Sequence, residues 1–362
     1  YACPMLTAVC LATTLVAAPK TPDLTPLKAR MDQVCARFGG RIGYSLTLLK
    51  DGRTVGYRAD ERYPSASIIK NAIMVEVVNQ VDEGKLKWTD SREVPPIKER
   101  TENMASMWAY FLKDGTKLNV DGWTNLMIGV SDNTATKVLG LWVGNQAVND
   151  RMAKLGLPNT KYLAYLAKDA PVAMKRLNSQ FGLGMTTPAE MNRLMVLIHR
   201  RKAASPAGCD RMLRILGKQY WDDFIGAAVP PEIKVVNKTG AISRSRSDTA
   251  LVYGPVPYAL TIITDSQKDR RWVADNEGYR TIRLLGNDAA ASLTFTSLGA
   301  TAAASSVNFD TSGASGGIIT LTGQAATSAT NLPGTANFLG HLYLNGADFA
   351  VINGSAQVVA PT

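Results

Sequence analysis

Three short motifs lie in order along the chain and could together form a nucleophilic site. They are S-I-I-K at residues 67–70, S-D-N at 131–133 and K-T-G at 238–240. A serine hydroxyl becomes a useful nucleophile only when a neighbouring base takes its proton. Lys70 can be that base for Ser67 if burial and a second cation lower its pKa, and Lys238 could supply that cation. The motifs therefore predict nucleophilic catalysis by Ser67.

The elements that must position these motifs follow from the local pattern. Apolar residues follow Ser67 at offsets of three and four, which predicts that a buried helix begins there. Ser67 and Lys70 would then share one face of its first turn. S-D-N lies between two helical patterns, which predicts a tight interhelical turn. K-T-G follows a β-rich run at 233–236, which predicts an edge strand whose Gly240 leaves room for a substrate backbone.

Other chemistries are weakly represented in the sequence. Of the two histidines, His199 and His341, the first is predicted to end a helix. A G-x-S-x-G string at 313–317 matches a nucleophile elbow, but its Gly/Ser/Thr/Ala surroundings do not predict the strand, turn and helix that this motif needs. No zinc, redox or phosphate-loop string occurs, so we expect no metal and no cofactor. Ordinary readings stay open: Lys70 as a solvated helix lysine, Ser131 as a helix N-cap, and K-T-G as a plain strand end.

Residues 25–289 resemble the class A β-lactamases and related serine hydrolases, the penicillin-recognising serine enzymes, in all three motifs and in the order of predicted elements. The resemblance implies an α/β (α+β) fold of the β-lactamase/transpeptidase type. An antiparallel sheet would be flanked by the two terminal helices, with an all-helical region inserted at about residues 71–225. The active site would lie in the cleft between the two parts.

The same resemblance implies a role for each motif residue. Ser67 would be the nucleophile, Lys70 the base, Ser131 the proton carrier to the leaving group, and Lys238 a fixed positive charge. Backbone N–H groups of Ser67 and Ala241 would form the oxyanion hole. The expected substrate-binding residues are Asn133, Thr239, Gly240, Ala241, Arg244 and Arg246. Either of the two arginines could anchor a substrate carboxylate, or both could be ordinary surface residues.

One position departs from the β-lactamase pattern and predicts slow turnover. Class A β-lactamases carry a glutamate three residues before a Leu-Asn pair, and this glutamate activates the water that releases the acyl group. Here the pair lies at 177–178 and the corresponding residue is Met174. Between Asn133 and Pro188 there is no Glu, and the acids are Asp150 and Asp169. Asp169 is the acid that could replace the glutamate.

The sequence thus favours a serine hydrolase acylated by a β-lactam or a related amide or ester, with slow deacylation. A D-alanyl-D-alanine peptidase or penicillin-binding protein acting on peptidoglycan is a second reading. A non-enzymatic surface or binding protein with a lactamase-like domain is a third. The expected partner is a small-molecule β-lactam or peptidoglycan-like substrate, and the expected state is a monomer. The net charge of +10 lacks the aromatic-basic clusters of nucleic-acid binders and suits an anionic envelope or a carboxylate-bearing substrate.

Both ends of the chain differ in composition from its middle. Residues 1–18 are apolar, too short to span a bilayer and end in small residues, which predicts a signal peptide, truncated at its start, and a periplasmic or secreted protein without a stable membrane span. Residues 291–362 contain no Lys, Arg or Glu. Their short β runs at 293–295, 307–309 and 318–321 resemble autotransporter passenger repeats, and an irregular extension is the alternative.

The two cysteines beyond the predicted leader leave two possibilities. Cys35 and Cys209 could pair in an oxidising compartment, or they could be separate buried thiols.

Overall fold

We describe the protein from a computed structural model. The structure describes residues 22–100 and 107–294, together with the backbone of four strands between residues 306 and 359. The predicted leader at 1–18 and the G-x-S-x-G string at 313–317 lie outside the described residues. The helices are α1 (Thr25–Ala36), α2 (Lys70–Asp82), α3 (Met107–Tyr110), α4 (Val120–Gly129), α5 (Asn133–Val143), α6 (Asn145–Lys154), α7 (Val172–Phe181), α8 (Pro188–His199), α9 (Pro206–Leu216) and α10 (Glu277–Thr294). The strands are β1 (Arg41–Leu48), β2 (Thr54–Tyr57), β3 (Tyr63–Pro64), β4 (Ser91–Glu93), β5 (Lys117–Asn119), β6 (Lys161–Tyr162), β7 (Gly184–Thr186), β8 (Lys234–Ile242), β9 (Ser245–Tyr253), β10 (Tyr258–Asp265), β11 (Ser306–Asp310), β12 (Ile318–Thr322), β13 (Asp348–Ile352) and β14 (Ser355–Val359).

A five-stranded antiparallel sheet carries the fold, in the order β2-β1-β10-β9-β8. Strands β1, β9 and β10 are buried along nearly their whole length, because helices cover both faces of the sheet. Strand β8 has a strand neighbour on one side and forms an edge.

The terminal helices α1 and α10 cover one face of the sheet. Leu27 and Met31 of α1 and Ile282 of α10 pack with Ala250 and Val252 of β9 in one apolar cluster. Helix α1 begins with a proline in its first turn, where the missing N–H costs no helical hydrogen bond. Burial of this apolar stripe explains why the two ends of the domain pack together.

The opposite face of the sheet packs against the helices inserted between β3 and β8. Leu251 of β9 and Ala259 and Ile263 of β10 join a cluster that includes Trp123 of α4 and Met195 of α8. Side chains alternate along a strand, so Leu251 enters this cluster while its neighbours enter the other one. Helix α2 runs through this cluster and is buried over its first nine residues.

The predicted β-lactamase/transpeptidase-type fold is confirmed, with an antiparallel sheet flanked by the terminal helices. The insertion differs in one respect, since it is not all-helical. Strands β4 and β5 pair with each other, and β6 and β7 form a small sheet with β3. Each is only two or three residues long, too short to produce an alternating pattern in the sequence.

The closing helix extends beyond the domain boundary that the sequence indicated. Composition placed that boundary at 289–291, whereas α10 begins at Glu277 and runs to Thr294. Ala289, Ala290 and Leu293 lie on the buried side of this helix. The predicted β run at 293–295 therefore begins inside this helix, because its small and apolar residues suit a helix face that packs on α1.

The C-terminal segment contains four of the described strands, in the order β11-β12-β14-β13. All pairs are antiparallel, and β11 and β12 coincide with the predicted runs at 307–309 and 318–321.

Both cysteines beyond the leader are free and buried, so the structure selects the reading of two separate thiols. Cys35 lies on the buried side of α1 and Cys209 lies in the helical cluster, on opposite sides of the sheet. Among the described helices, none has the length and apolar character needed to cross a membrane.

Candidate active site

The three motifs meet where the start of α2, the α4–α5 turn and the edge strand β8 come together. Ser67 lies in a 3₁₀ turn, Ala66–Ile69, and α2 begins at Lys70. The helix therefore starts with a tighter turn than predicted, but Ser67 and Lys70 remain three residues apart on it. Ala66 has a φ of 45°, a strained conformation for a residue with a side chain. The turn that presents Ser67 is thus held by its surroundings.

Strand β8 helps to hold that turn. The single hydroxyl hydrogen of Ser247 on β9 is shared between the carbonyl of Ser65, at 3.3 Å, and the carbonyl of Gly240 on β8, at 3.2 Å. Ser65 itself donates its backbone N–H to Gly184 of β7. The nucleophile turn is therefore tied on one side to K-T-G and on the other to β7.

Lys70 lies fully buried under Ser67 and reaches the S-D-N turn. Its Nζ donates to the carbonyl of Ser131 at 2.6 Å, to Ser131 Oγ at 3.1 Å and to Asn133 Oδ1 at 2.8 Å. Ser67 is half-buried, and its hydroxyl forms no hydrogen bond with a described residue. Lys70 is therefore not a solvated helix lysine.

Burial lowers the pKa of Lys70 well below its ordinary value, and the nearby Lys238 lowers it further, while Asp132 acts in the opposite direction. Lys238 is also fully buried, and burial lowers its pKa to about 7, with Asp248 opposing. Its Nζ donates to the carbonyl of Thr239 at 2.9 Å. Two buried lysines next to each other favour the loss of one proton, which gives Lys70 the free amine that a base requires.

Asp132 fixes the S-D-N turn. As the N-cap of α5, its Oδ1 accepts the backbone N–H of Ala135 at 2.8 Å, and its Oδ2 accepts that of Ala109 at 3.0 Å. Ser131 has a φ of 61°, so this turn is strained as well. The helix-capping residue of the motif is therefore Asp132, and Ser131 is left to face Lys70.

The remaining predicted binding positions fall on two elements. Asn133 opens α5 and contacts Lys70. Thr239 and Gly240 are buried within β8, and Ala241 is half-buried near the end of that strand. All four lie beside the Ser67 turn or on the strand that packs against it.

Arg246 is not a surface arginine, and the prediction that it binds a substrate carboxylate is wrong. Its side chain is buried, and it donates to the carbonyls of Ile242, Ser245 and Arg271. The guanidinium lies between the rings of Trp272 and Tyr279, 4.5 and 4.9 Å from their centroids. Because Ser247 faces Gly240, its neighbour Arg246 has to face the other side of the sheet, towards α10.

Arg244 lies in the turn between β8 and β9 and is partly exposed. It forms an ion pair with Asp265 at 3.3 Å and donates to the carbonyl of Gln180 at 2.7 Å, so it joins α7 to the sheet. Its role as a carboxylate anchor stays a prediction.

The loop that would carry a deacylating acid presents none at the expected position. Met174 lies on α7 and packs against the small apolar cluster of Leu163, Phe181 and Met185. Asp169 precedes this helix and is exposed. Among the described residues, no cluster of acids, histidines or cysteines has the arrangement of a metal site.

Sequence reasoning missed two residues that support the site. Ser247 could have been found from the hairpin register, which places it directly opposite Gly240. Arg100 is buried and donates to the carbonyls of Ala109, Tyr110 and Leu112, so it shapes the segment that contacts Asp132. No local pattern signals that arginine, because all of its acceptors except the carboxylate of Asp114 are backbone carbonyls.

The comparisons with known proteins support the family and the fold. The sequence profile described as the beta-lactamase enzyme family matches residues 26–293. Beta-lactamase VEB-1 of Pseudomonas aeruginosa is 22% identical over 176 residues, which are 49% of this chain and 57% of VEB-1. The chain therefore spans little more than half the length of that relative.

Solved structures resemble the protein over most of its length. A beta-lactamase of Sphaerobacter thermophilus superposes with a TM-score of 0.63 at 26% identity, covering 75% of this chain and 98% of the other. The protein PBP-A superposes with a TM-score of 0.62 at 22% identity, covering 75% and 98%. A mutant of PBP-A, solved as an acyl-enzyme complex with penicillin G, gives 0.63 at 23% identity, covering 75% and 97%.

Proposed function

The chain belongs to the beta-lactamase enzyme family, and on that premise we propose that it is a serine hydrolase which β-lactams acylate on Ser67 and which releases the acyl group slowly. The observation that carries this proposal is the position of Lys70. It is buried beneath the nucleophile turn, beside Lys238, and bonded to Ser131 and Asn133 of S-D-N.

The proposed acylation uses the hydrogen bonds of Lys70. As a free amine, Lys70 has two N–H groups, which the Ser131 carbonyl and Asn133 Oδ1 accept, and a lone pair that is left for a hydroxyl. The bond between Ser67 Oγ and the lactam carbonyl carbon forms as the proton moves from Oγ to Lys70 Nζ. The C–N bond of the lactam then breaks, and the proton reaches the lactam nitrogen through Ser131 Oγ. Backbone N–H groups of Ser67 and Ala241 would stabilise the oxyanion.

Deacylation is proposed to be the slow step, because Met174 cannot take a proton from water. General-base catalysis typically contributes about a hundred- to ten-thousand-fold, so its loss would raise the barrier by roughly 3 to 5 kcal/mol. A mutant of PBP-A, a protein of similar fold, was solved as an acyl-enzyme complex with penicillin G. Action on D-Ala-D-Ala peptides is therefore the second candidate.

A fluorescent penicillin tests the proposal. The protein should become labelled with one equivalent, and intact mass followed over time should show fast adduct formation and slow loss. Ser67→Ala should abolish the label while circular dichroism stays unchanged. The matched control is Ser91→Ala, which replaces an exposed serine of β4 and should label normally.

The outcomes separate the candidate functions. Labelling that survives in Ser67→Ala contradicts the assignment of the nucleophile, and a protein that never labels would be a binding protein only. Release of D-alanine from a D-Ala-D-Ala peptide, dependent on Ser67, would favour the peptidase. A periplasmic or secreted location is also proposed, supported by the apolar residues 1–18, and a cytoplasmic pool after cell fractionation would contradict it.

A further inference from the structure

A buried carboxylate behind the K-T-G strand has no role in the mechanism above. Asp248 lies on β9 directly opposite Thr239. The next residue of β9, Thr249, lies opposite Lys238. Its side chain is fully buried. Its Oδ2 accepts the backbone N–H of Ile225 at 3.0 Å, and Asn237 Nδ2 lies 3.2 and 3.3 Å from the two oxygens. A carboxylate held this way requires a nearby cation to stay charged.

The charged groups around Asp248 make Lys238 that cation. Arg246 is two residues away on the same strand, but its guanidinium is bonded to backbone carbonyls and stacked against Tyr279 of α10. From the segment before the 226–228 turn, Asp222 raises the pKa of Asp248, whereas Lys238 lowers it. Burial raises the pKa of Asp248 to about 7, so the ionised and protonated forms of its carboxyl group are close in free energy near neutral pH.

Lys238 links the charge of Asp248 to Lys70 on the other side of the strand. Asp248 is the charged group that raises the pKa of Lys238 against its burial. Lys238 is in turn the charged group that lowers the pKa of Lys70, with Asp132 opposing it. The four buried groups are thus linked pairwise, with the two lysines standing between the carboxyl groups of Asp248 and Asp132.

We propose that Asp248 is a positioning residue for acylation: its buried carboxylate keeps Lys238 as an ammonium, and that charge keeps Lys70 as the free amine that accepts the Ser67 proton. The inference rests on the proposed function, because it requires a Ser67 that becomes acylated. It assigns a reaction role to a side chain on the far face of the sheet, which acts on the site only through Lys238.

The test is the pH profile of labelling in Asp248→Asn. The second-order rate of reaction with a fluorescent penicillin is measured from about pH 5 to 10. In the unmodified protein the rate should rise as Lys70 loses its proton and fall as Lys238 loses its own. Without the Asp248 charge, the pKa of Lys238 should fall, and the alkaline limb should shift to lower pH by about one unit, a typical effect of a single charged neighbour.

The alternatives give different results. A rate reduced equally at every pH, with the alkaline limb in place, would assign Asp248 a structural role and overturn the inference. Absence of labelling in the unmodified protein would instead contradict the proposed function. In a Lys238→Arg background the alkaline limb should be absent, since arginine stays charged over this range, and adding Asp248→Asn should no longer change the profile.

A second variant keeps the test decisive if Asp248→Asn folds poorly. Asn237→Ala removes a hydrogen bond that favours the ionised Asp248, so the alkaline limb should move in the same direction by a smaller amount. Asp222→Asn is the control, because it removes an exposed carboxylate of the same neighbourhood and should not move the limb downward. An unmoved limb in folded Asn237→Ala would count against the inference.

Discussion

A Cβ atom on Gly240 would lie 2.9 Å from the backbone nitrogen of Ser67, closer than real Cβ contacts allow. It would also lie 2.5 Å from Ser247 Oγ and 3.1 Å from the backbone nitrogen of Ile68. The sequence suggested that this glycine leaves room for a substrate. The structure adds another reason, since the K-T-G strand and the nucleophile turn touch through their backbones at this point.

We expect Gly240→Ala to displace the turn that presents Ser67. Overpacking of this kind costs about 1 to 3 kcal/mol of unfolding free energy. The activation free energy of labelling should rise by more than the unfolding free energy falls. Urea unfolding and the rate of penicillin labelling measure the two effects. Gly217→Ala is the matched control, because Gly217 has a φ of −69° and its added Cβ would make only contacts of 3.4 Å or longer. Equal labelling rates in the two variants would contradict the close contact.

Met174→Glu should speed the release of the acyl group. The new carboxylate would supply the general base that α7 lacks, with a gain of up to about a hundred- to ten-thousand-fold. Because Met174 packs against Phe181 and Met185, we also expect a loss of about 1 to 3 kcal/mol in stability. Loss of the mass adduct over time is the measurement.

Two variants control that experiment. Met174→Gln has the same length without a base and should release the acyl group as slowly as the original protein. Asp169→Asn should also leave the slow release unchanged, because Asp169 is exposed and precedes α7. Fast release in the unmodified protein, lost in Asp169→Asn, would show that Asp169 already acts as the base.

The motif positions could be predicted from the sequence because each depends on local structure. The helical period placed Ser67 and Lys70, the break between two helical patterns placed Ser131, and a β-rich run placed Lys238. The buried arginine of β9 could not be predicted in the same way. A shift of one residue in register moves every side chain of a strand to the other face, and the register of β9 is set by its partners β8 and β10. The sequence therefore left Arg246 as either a carboxylate anchor or a surface residue, and neither is correct.

The role of Asp248 was hidden for a related reason. Its hydrogen bonds reach the backbone of Ile225 and the side chain of Asn237, which are far from it in sequence or on another strand. The end of α10 was missed because composition changes near Ala291, while the helix continues for as long as its apolar side can pack on α1. Composition reports the surface chemistry of a segment, and packing decides where its helix ends.

The end of α10 leads to a prediction about truncation. A chain ending after Thr294 should keep the stability and labelling of the full chain, since α10 is then complete. A chain ending after Asp288 loses Ala289, Ala290 and Leu293, which are buried, and the bond from Arg30 to Ser292. Burial of one leucine alone contributes about 1.5 to 3 kcal/mol, so we expect a loss of several kcal/mol. Urea unfolding of both chains measures this, and equal stability would place the boundary earlier in the helix.

Asp288 should make the stability of the domain depend on pH in an unusual direction. Asp288 lies on α10, and its burial raises its pKa from 3.8 to about 6, with Arg30 opposing. A carboxyl whose folded pKa is raised contributes stability below its unfolded pKa, and that contribution is lost as the pH rises from about 4 to 6. At pH 7 the charged carboxylate therefore lowers the unfolding free energy, by about 2 to 3 kcal/mol.

Asp288→Asn removes this titration and should stabilise the protein by up to about 2 kcal/mol at pH 7, with little change at pH 4. Urea unfolding at several pH values measures the difference, and the labelling rate should stay the same because Asp288 lies outside the proposed machinery. The control is Asp275→Asn, whose side chain is 69% exposed and should change stability little at either pH. A stabilisation by Asp288→Asn that is equal at pH 4 and pH 7 would show that the ionisation of Asp288 is not its cause.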